Sequence, residues 1–241
     1  MSSRLASFKG PSTPNSSPVP AKQHQQQSRS SPGPSSPSRS IESTYHRKTR
    51  AALQELRTIA ETWDDLVLID GLKSARSLVD TRTELDNVLA LIPDGQLPRT
   101  RLVGPKIALM EKRIAELDAV IGKLRKQFRR MNTVIDGLEA LLVEAHKAKG
   151  WTWVSEEPLW VSWPLEKFVT SLPNLLIPYH RSLATHLELV DILRSHSVSF
   201  EDARDALANW AEQPWLEEDS WEAVWEDLCA VEVEKWDVAS K

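Results

Sequence analysis

The chain has 241 residues, of which 41% are hydrophobic and 27% are charged, and its net charge is −4 at pH 7. This length suits one ordinary domain plus a tail, and the charge favours neither a nucleic-acid binder nor a membrane-surface binder. Cys229 is the only cysteine, which excludes an internal disulfide and a thiolate metal cluster and indicates a reducing compartment. With no apolar run of about 18 residues and no signal-peptide core at the start, we expect no membrane association.

Residues 1–43 predict a disordered tail, because they contain fourteen serines and seven prolines and almost no large apolar side chains. The tail holds four Ser-Pro or Thr-Pro steps. The segment from Ser36 to Arg39 has the proline and the downstream base that proline-directed, cyclin-dependent kinases favour. A phosphate on Ser36 adds about −1.5 to −2 charge to the tail. Because any Ser/Pro-rich tail yields such matches by chance, Ser36 stays a candidate phosphosite.

Apolar residues recur at helical spacing from Thr44 to Ile92. They predict either one long helix bent at Asp70-Gly71 or two helices, and Pro93-Asp94-Gly95 ends the pattern. Residues 96–105 predict a loop whose last proline, Pro105, occupies the first turn of the next helix.

The clearest periodicity follows this loop, with apolar residues that alternate spacings of three and four over five heptads. Residues 44–149 are therefore predicted as N-terminal helices and a coiled-coil helix. Val120, Val134 and Leu141 flank the apolar seam where a two-stranded zipper would carry charges, so we favour a helix within a bundle over a homodimeric rod. The seam positions are Ile107, Met110, Ile114, Leu117, Ile121, Leu124, Phe128, Met131, Ile135, Leu138, Leu142 and Ala145.

A basic stripe covers residues 99–130, which contain ten basic and three acidic side chains. Such a stripe is suited to phosphates. It contains one aromatic residue, Phe128, and the heptads place that ring in the core, so no stacking platform accompanies the charge. We interpret the stripe as a solvated face and expect no direct binding of nucleic acid.

Residues 150–164 are predicted as a Trp-rich linker that is not helical, because four tryptophans occur within thirteen residues without periodicity. Packing of these indoles on the helical body is favoured over presentation to a partner. Residues 165–241 predict a C-terminal helical region with a break or kink near Pro178. Within it, Ser199 is a plausible N-cap, Gln213-Pro214 ends a short helix, and a last helix runs from about Glu218 to Trp236.

The C-terminal part is strongly acidic, with thirteen acids against three bases from Ser199 onward. Its sign is opposite to that of the basic stripe. The two are expected either to face each other within the body or to bind partners of opposite charge.

No catalytic constellation or cofactor site is evident. Eight scattered glycines form no phosphate-binding loop, and no pair of the six histidines has metalloprotease spacing. The paired carboxylates are typical of solubilising charges on exposed helices. We therefore predict a protein that is not an enzyme and carries neither a cofactor nor a metal.

The last third carries a series of aromatic and proline positions with one dense segment. They are Pro158, Trp160, Trp163, Pro164, Phe168, Tyr179 and Leu183, followed by Trp210-x-x-Gln213-Pro214-Trp215-x-Glu217-x-Asp219-Ser220. This set resembles the cyclin-dependent kinase-interacting protein family, CINP. The resemblance covers roughly residues 63–228 and is weak before the last third.

The chain departs from the family pattern in its long tail, in its extra tryptophans, and in Trp215, where the family has tyrosine. These departures suggest a distant, fungal-like member. The resemblance implies an accessory subunit of an AAA-type ATPase, and another accessory subunit of that ATPase has a similar helical layout. The first half of the chain does not distinguish between the two. The segment at Gln213-Pro214 favours CINP.

The helical periodicity predicts an all-α fold. The resemblance implies a nuclear adaptor, with the cytoplasm as a second location. The implied partners are cyclin-dependent and replication-firing kinases, a checkpoint kinase partner, and an AAA-type ATPase with its accessory subunit. The implied roles are replisome proteostasis and maturation of the large ribosomal subunit. A structural coiled-coil subunit of a kinetochore, tethering or cytoskeletal assembly is the alternative, and it depends on the heptads alone.

Physically, the dense segment predicts a tight corner between helices, pinned by Trp210 and Trp215, with Pro214 ending one helix and Asp219 or Ser220 near the start of the next. Trp163 and Pro164 belong to the same candidate set. A purely architectural corner and a partner-binding hot spot are equally compatible with the sequence.

Overall fold

The N-terminal helix begins at Thr44, where the Ser43 side chain accepts a hydrogen bond from the backbone N–H of His46. The computed structural model describes residues 42–93, 95–217 and Trp225. Helix α1 (Thr44–Asp64) continues without a break through a π-helical segment (Asp65–Gly71) into α2 (Leu72–Ala90). The helix is therefore continuous from Thr44 to Ala90, as in the first of the two predicted arrangements, and a π-helical stretch that ends at Gly71 lies where the bend was predicted.

Helix α3 extends from Thr100 to Lys149. The predicted loop over residues 96–105 is wrong in its second half, since the helix begins at Thr100 and Pro105 lies inside it, beyond the first turn. The ring at Pro105 removes one backbone hydrogen bond near an exposed end of the helix, where water can solvate the freed carbonyl group of Arg101.

The apolar seam of α3 is covered by helices of the same chain. Helix α3 packs against α1, the π-helical segment and α2, and it also packs against helices from the C-terminal part of the chain. Val120, Val134 and Leu141 are buried together with most of the seam, whereas Ile107 at its beginning is 37% exposed. The wide apolar stripe thus belongs to a helical bundle, and the all-α prediction is confirmed for the described residues.

The Trp-rich linker is partly helical, which corrects the prediction for its first half. Helix α4 spans Trp151–Glu156, immediately after Gly150, whose φ of 90° ends α3. Residues 157–164 are irregular, and they close on themselves through a hydrogen bond from the Leu159 N–H to the Trp163 carbonyl at 2.9 Å. The chain can change direction at Gly150 without strain because glycine tolerates this positive φ.

The next segment consists of α5 (Leu165–Ser171), a 3₁₀ turn (Leu172–Leu175) and α6 (Leu176–Arg194). The predicted interruption therefore lies before Pro178. Pro178 occupies the first turn of α6, where its missing N–H has no partner within the helix to lose.

Helix α7 (Phe200–Glu212) starts at Ser199, whose side chain accepts from the Asp202 N–H at 3.0 Å, as predicted. It ends at Gln213, and a short helix α8 (Pro214–Glu217) follows. Of the predicted last helix, only Trp225 belongs to the described residues, and it is buried. In the described part of the chain, no helix is both long and apolar enough to cross a membrane.

Candidate partner-binding site

The corner between α7 and α8 is made by a left-handed residue. Gln213 has φ 41° and ψ 54°, which reverses the chain, and its carbonyl oxygen accepts from the Leu216 N–H at 2.9 Å. The Gln213 side chain is buried and donates through Nε2 to Asp64 Oδ1, at 3.4 Å, at the end of α1. This polar contact fixes the corner to the N-terminal helix.

Trp210 anchors the corner from inside the body. Its indole is fully buried, and Nε1 donates to the carbonyl oxygen of Val67 at 3.0 Å. A Cβ atom at Gly71 would lie 2.5 Å from Trp210 Cζ2, so only glycine leaves room for the ring. The Val67 carbonyl also accepts from the Leu72 N–H at the end of the π-helical segment. The π-helical backbone and Gly71 together form the pocket that holds the Trp210 ring.

His186 of α6 also packs against Trp210. Its ring stands edge-on to Trp210, with centroids 4.6 Å apart and an interplanar angle of 89°. Nδ1 donates to the Ser182 carbonyl at 2.7 Å. Burial lowers the pKa of His186 below its usual value, against the opposing effect of the Ser182 and Trp210 backbone carbonyls. The histidine is therefore neutral at pH 7.

Pro214 and Trp215 are the outer part of the corner, since both are only partly buried. The Trp215 indole donates to Thr185 Oγ1 at 2.8 Å, which orients the ring on α6. The guanidinium carbon of Arg181 lies 5.2 Å from the centre of the Trp215 ring. A planar aromatic ring with an adjacent cation is therefore partly exposed here.

Trp163 and Pro164 belong to a second cluster, at the start of α5. Trp163 and Trp160 both contact Phe168, with ring centroids 5.3 and 5.4 Å apart respectively. The Lys167 ammonium lies 4.1 Å from the Trp163 ring centre. The described candidate residues thus fall into a corner cluster (Trp210, Gln213, Pro214, Trp215) and a linker cluster, which consists of the candidates Trp163 and Pro164 with their neighbour Trp160.

Two residues of α1 contact the Trp-rich linker, and the sequence did not identify them. His46 Nε2 donates to the Leu159 carbonyl, while its ring stands edge-on to Trp160 at 5.6 Å. Tyr45 packs against Trp153 at 5.4 Å. Burial lowers the pKa of His46, an effect that the Leu159 carbonyl and Glu42 oppose. A contact across more than a hundred residues leaves no signal in local spacing.

Three candidate residues lie outside the described residues, namely Ser36 in the tail and Asp219 and Ser220 beyond α8. Nothing in the structure therefore bears on the phosphosite or on the predicted start of the last helix.

The basic stripe is partly neutralised by acids of the N-terminal helix. Lys106 pairs with Glu84 at 2.6 Å and Lys123 with Asp70 at 3.2 Å. At the lower end of the stripe, Arg130 contacts Glu55 at 3.3 Å. These partners come from α1, α2 and the π-helical segment, so part of the charge of the stripe is balanced within the chain.

Within residues 42–93, 95–217 and Trp225, no group of three His, Cys, Asp or Glu side chains is arranged to hold a metal ion. Comparison with protein-family models and with curated proteins finds no match to the chain.

Proposed function

We propose that this chain is a non-catalytic adaptor, an accessory subunit that works by binding other proteins. The proposed partners follow from the resemblance to CINP: cyclin-dependent and replication-firing kinases, a checkpoint kinase partner, and an AAA-type ATPase with its accessory subunit. Replication, checkpoint signalling and large ribosomal subunit maturation in the nucleus are the proposed settings. The partly exposed corner around Trp215 supports this proposal.

The observation that carries the proposal is that some residues of the corner are buried and others are exposed. Trp210 and Gln213 are buried and fix the backbone, while Pro214 and Trp215 are partly exposed and Arg181 is exposed. Rigid aromatic residues beside a cation are enriched among binding hot spots because little conformational entropy is lost when they bind. An adaptor requires such a surface and requires no reactive group.

Affinity purification from cells with quantitative mass spectrometry tests the proposal. The native chain is expected to recover an AAA-type ATPase or a cell-cycle kinase, and Trp215→Ala is expected to lose most of that recovery. Phe200→Ala is the matched control, because Phe200 is an aromatic residue that is 58% exposed on α7 outside the corner. Recovery of neither partner class by the native chain, under conditions that preserve such complexes, contradicts the proposal. The same spectra report whether Ser36 is phosphorylated.

The alternative, a structural coiled-coil subunit, predicts an elongated homodimer. The burial of Val120, Val134 and Leu141 within one chain supports the adaptor instead, since a rod would need that seam free for a second copy. Sedimentation velocity separates the two proposals: the adaptor is expected to sediment as a compact monomer.

A further inference from the structure

Part of the basic stripe on α3 has no counter-charge in the described part of the chain. Four of its ten bases form ion pairs with acids, namely Lys106, Arg113, Lys123 and Arg130. Arg125, Lys126 and Arg129 are exposed, and none of them makes an ion pair within residues 42–93, 95–217 and Trp225. These three residues form a basic patch whose charge is not neutralised on the surface.

Acids on the helices around the patch are engaged with other bases. Asp70 and Glu55 pair with the lysine and the arginine that flank the patch in α3, and Asp118 pairs with Arg194 of α6. The acids of α7 form no ion pair with the stripe either, as far as the described side chains show. They are Glu201, Asp202, Asp205 and Glu212. A negatively charged partner therefore meets three bases that need not give up an existing ion pair.

The geometry of the patch suits carboxylates on a polypeptide. Arg125 and Arg129 are four residues apart on one helix and therefore lie about 6 Å apart along its axis. A guanidinium binds a carboxylate through two parallel hydrogen bonds, which a lysine cannot do. Gly122 and Ala119 are exposed on the face of Lys126, and a Cβ atom at Gly122 would meet no atom within 4 Å. The surface beside the charges is therefore low and open.

A nucleic acid fits this patch less well than an acidic protein segment. Duplex binders commonly make about 6–10 phosphate contacts, and the patch offers three bases. Single-stranded nucleic acid is bound by exposed aromatic side chains on which its bases stack. The one aromatic residue of the stripe, Phe128, is partly buried and packs against His180 at 5.6 Å. The net charge of −4 also disfavours a long polyanion.

We propose that the basic patch of Arg125, Lys126 and Arg129 binds an acidic segment of a partner protein, whose carboxylates engage the two guanidiniums while its backbone lies along Gly122. This surface deepens the proposed adaptor function, on which it rests, because it gives the chemistry of one partner. The patch and the corner share no residue. Trp215→Ala is therefore expected to bind an acidic peptide as the native chain does, so failure of either proposal is recognisable.

Binding of a synthetic peptide provides the test. The probe is a fluorescent peptide rich in glutamate, and a second peptide has glutamine in place of every glutamate. By fluorescence anisotropy, the purified full chain is expected to bind the glutamate peptide at least about tenfold more tightly than the glutamine peptide. Added salt is expected to weaken this binding, because it screens charges on exposed surfaces.

The double variant Arg125→Gln/Arg129→Gln is expected to weaken binding of the glutamate peptide by at least about fivefold. The matched control is Arg99→Gln/Arg101→Gln, because it removes the same number of exposed bases from the start of the same stripe. Both variants therefore have the same net charge. All four side chains are exposed, so both variants are expected to fold, and thermal unfolding checks this.

Three results overturn the proposal. The two double variants bind the glutamate peptide equally, the two peptides bind the native chain equally, or a single-stranded oligonucleotide of the same charge binds more tightly than the glutamate peptide and loses affinity in Arg125→Gln/Arg129→Gln. The last result would assign the patch to nucleic acid. Loss confined to Arg125→Gln/Arg129→Gln, with the peptide bound more tightly than the oligonucleotide, supports an acidic protein partner.

Discussion

The corner cluster and the linker cluster are built alike and stabilised differently. In each, a histidine stands edge-on to a tryptophan and donates to a backbone carbonyl, and in each a cation lies over a second tryptophan. Trp210 is nevertheless fully buried against the backbone at Gly71, while Trp163 of the linker cluster is only partly buried. Trp151, in the same Trp-rich linker, is 54% exposed. Similar contacts therefore accompany full burial of Trp210 at the corner and partial exposure of Trp163 and Trp151 in the Trp-rich linker.

The largest expected effect is the difference in stability between a variant in the corner cluster and a variant in the Trp-rich linker. Trp210→Ala is expected to lower the free energy of unfolding by about 3–5 kcal/mol, because it leaves a large cavity in the pocket formed by Gly71 and Val67. Trp151→Ala is expected to cost less than about 1 kcal/mol, since half of that indole is already in water. Urea unfolding of both variants measures the difference. Equal losses of unfolding free energy would show that the buried and the exposed tryptophan contribute alike to stability.

Gly71→Ala tests how closely the pocket fits the Trp210 ring. The added methyl group lies within 2.5 Å of Trp210 Cζ2, so the ring or the helix must shift, and a loss of about 1–3 kcal/mol in unfolding free energy is expected. The control is Gly122→Ala in α3, where the same change meets open space and is expected to stabilise by about 0.5–1 kcal/mol. A stabilising Gly71→Ala would show that Trp210 does not require the glycine.

The sequence predicted the helices better than the contacts between them. Heptad spacing identified α3 because burial of one face repeats within the helix, and Ser199 identified the start of α7 because a cap is a local hydrogen bond. The same reasoning missed α4, since Trp151 and Trp153 are poor helix formers individually and are held by Tyr45 and His146 through contacts that are not helical signals.

Within the candidate set, the sequence located the turn at Gln213 but did not identify what surrounds it. Gly71 was evident only as a possible bend, although its role is to admit an indole from a residue more than a hundred positions away. His186 and Arg181 lie on α6 among other polar residues, and only the packing of α6 against α7 brings one of them to Trp210. Three-dimensional proximity, absent from local spacing, determines these roles.

The two histidines give a pH test of the comparison. Because burial lowers the pKa of His186 in the folded state, the unfolded chain binds the proton more readily. Stability is therefore complete above the unfolded pKa of about 6.5 and falls as the pH drops below it, by at most about 1.4 kcal/mol per pH unit for one histidine. Urea unfolding between pH 7.5 and 5 measures this slope.

Variants assign the slope to one region. His186→Gln removes the titrating group, so the curve is expected to flatten relative to the native chain. His46→Gln is expected to change the slope less, because His46 is only half-buried and its neighbours Leu159 and Glu42 oppose the effect of burial. A larger change of slope in His46→Gln would reverse the assignment.

The smallest expected effect concerns the cations over the outer tryptophans. Lys167→Met removes a close cation–π contact at an exposed site and is expected to cost about 0.5–1 kcal/mol. Arg181→Met is expected to cost no more than this, since its guanidinium lies farther from the Trp215 ring than the Lys167 ammonium does from the Trp163 ring. Urea unfolding again provides the measurement.

For partner binding, we expect Arg181 to matter more than Lys167. If Arg181 and Trp215 form the accessible part of the corner, Arg181→Met should reduce partner recovery in affinity purification while the fold stays intact, and Lys167→Met should leave recovery unchanged. A guanidinium on an exposed ring contributes little to stability because water competes for it, yet it becomes valuable once a partner excludes that water. Recovery that tracks stability in both variants would show that the corner serves the fold alone.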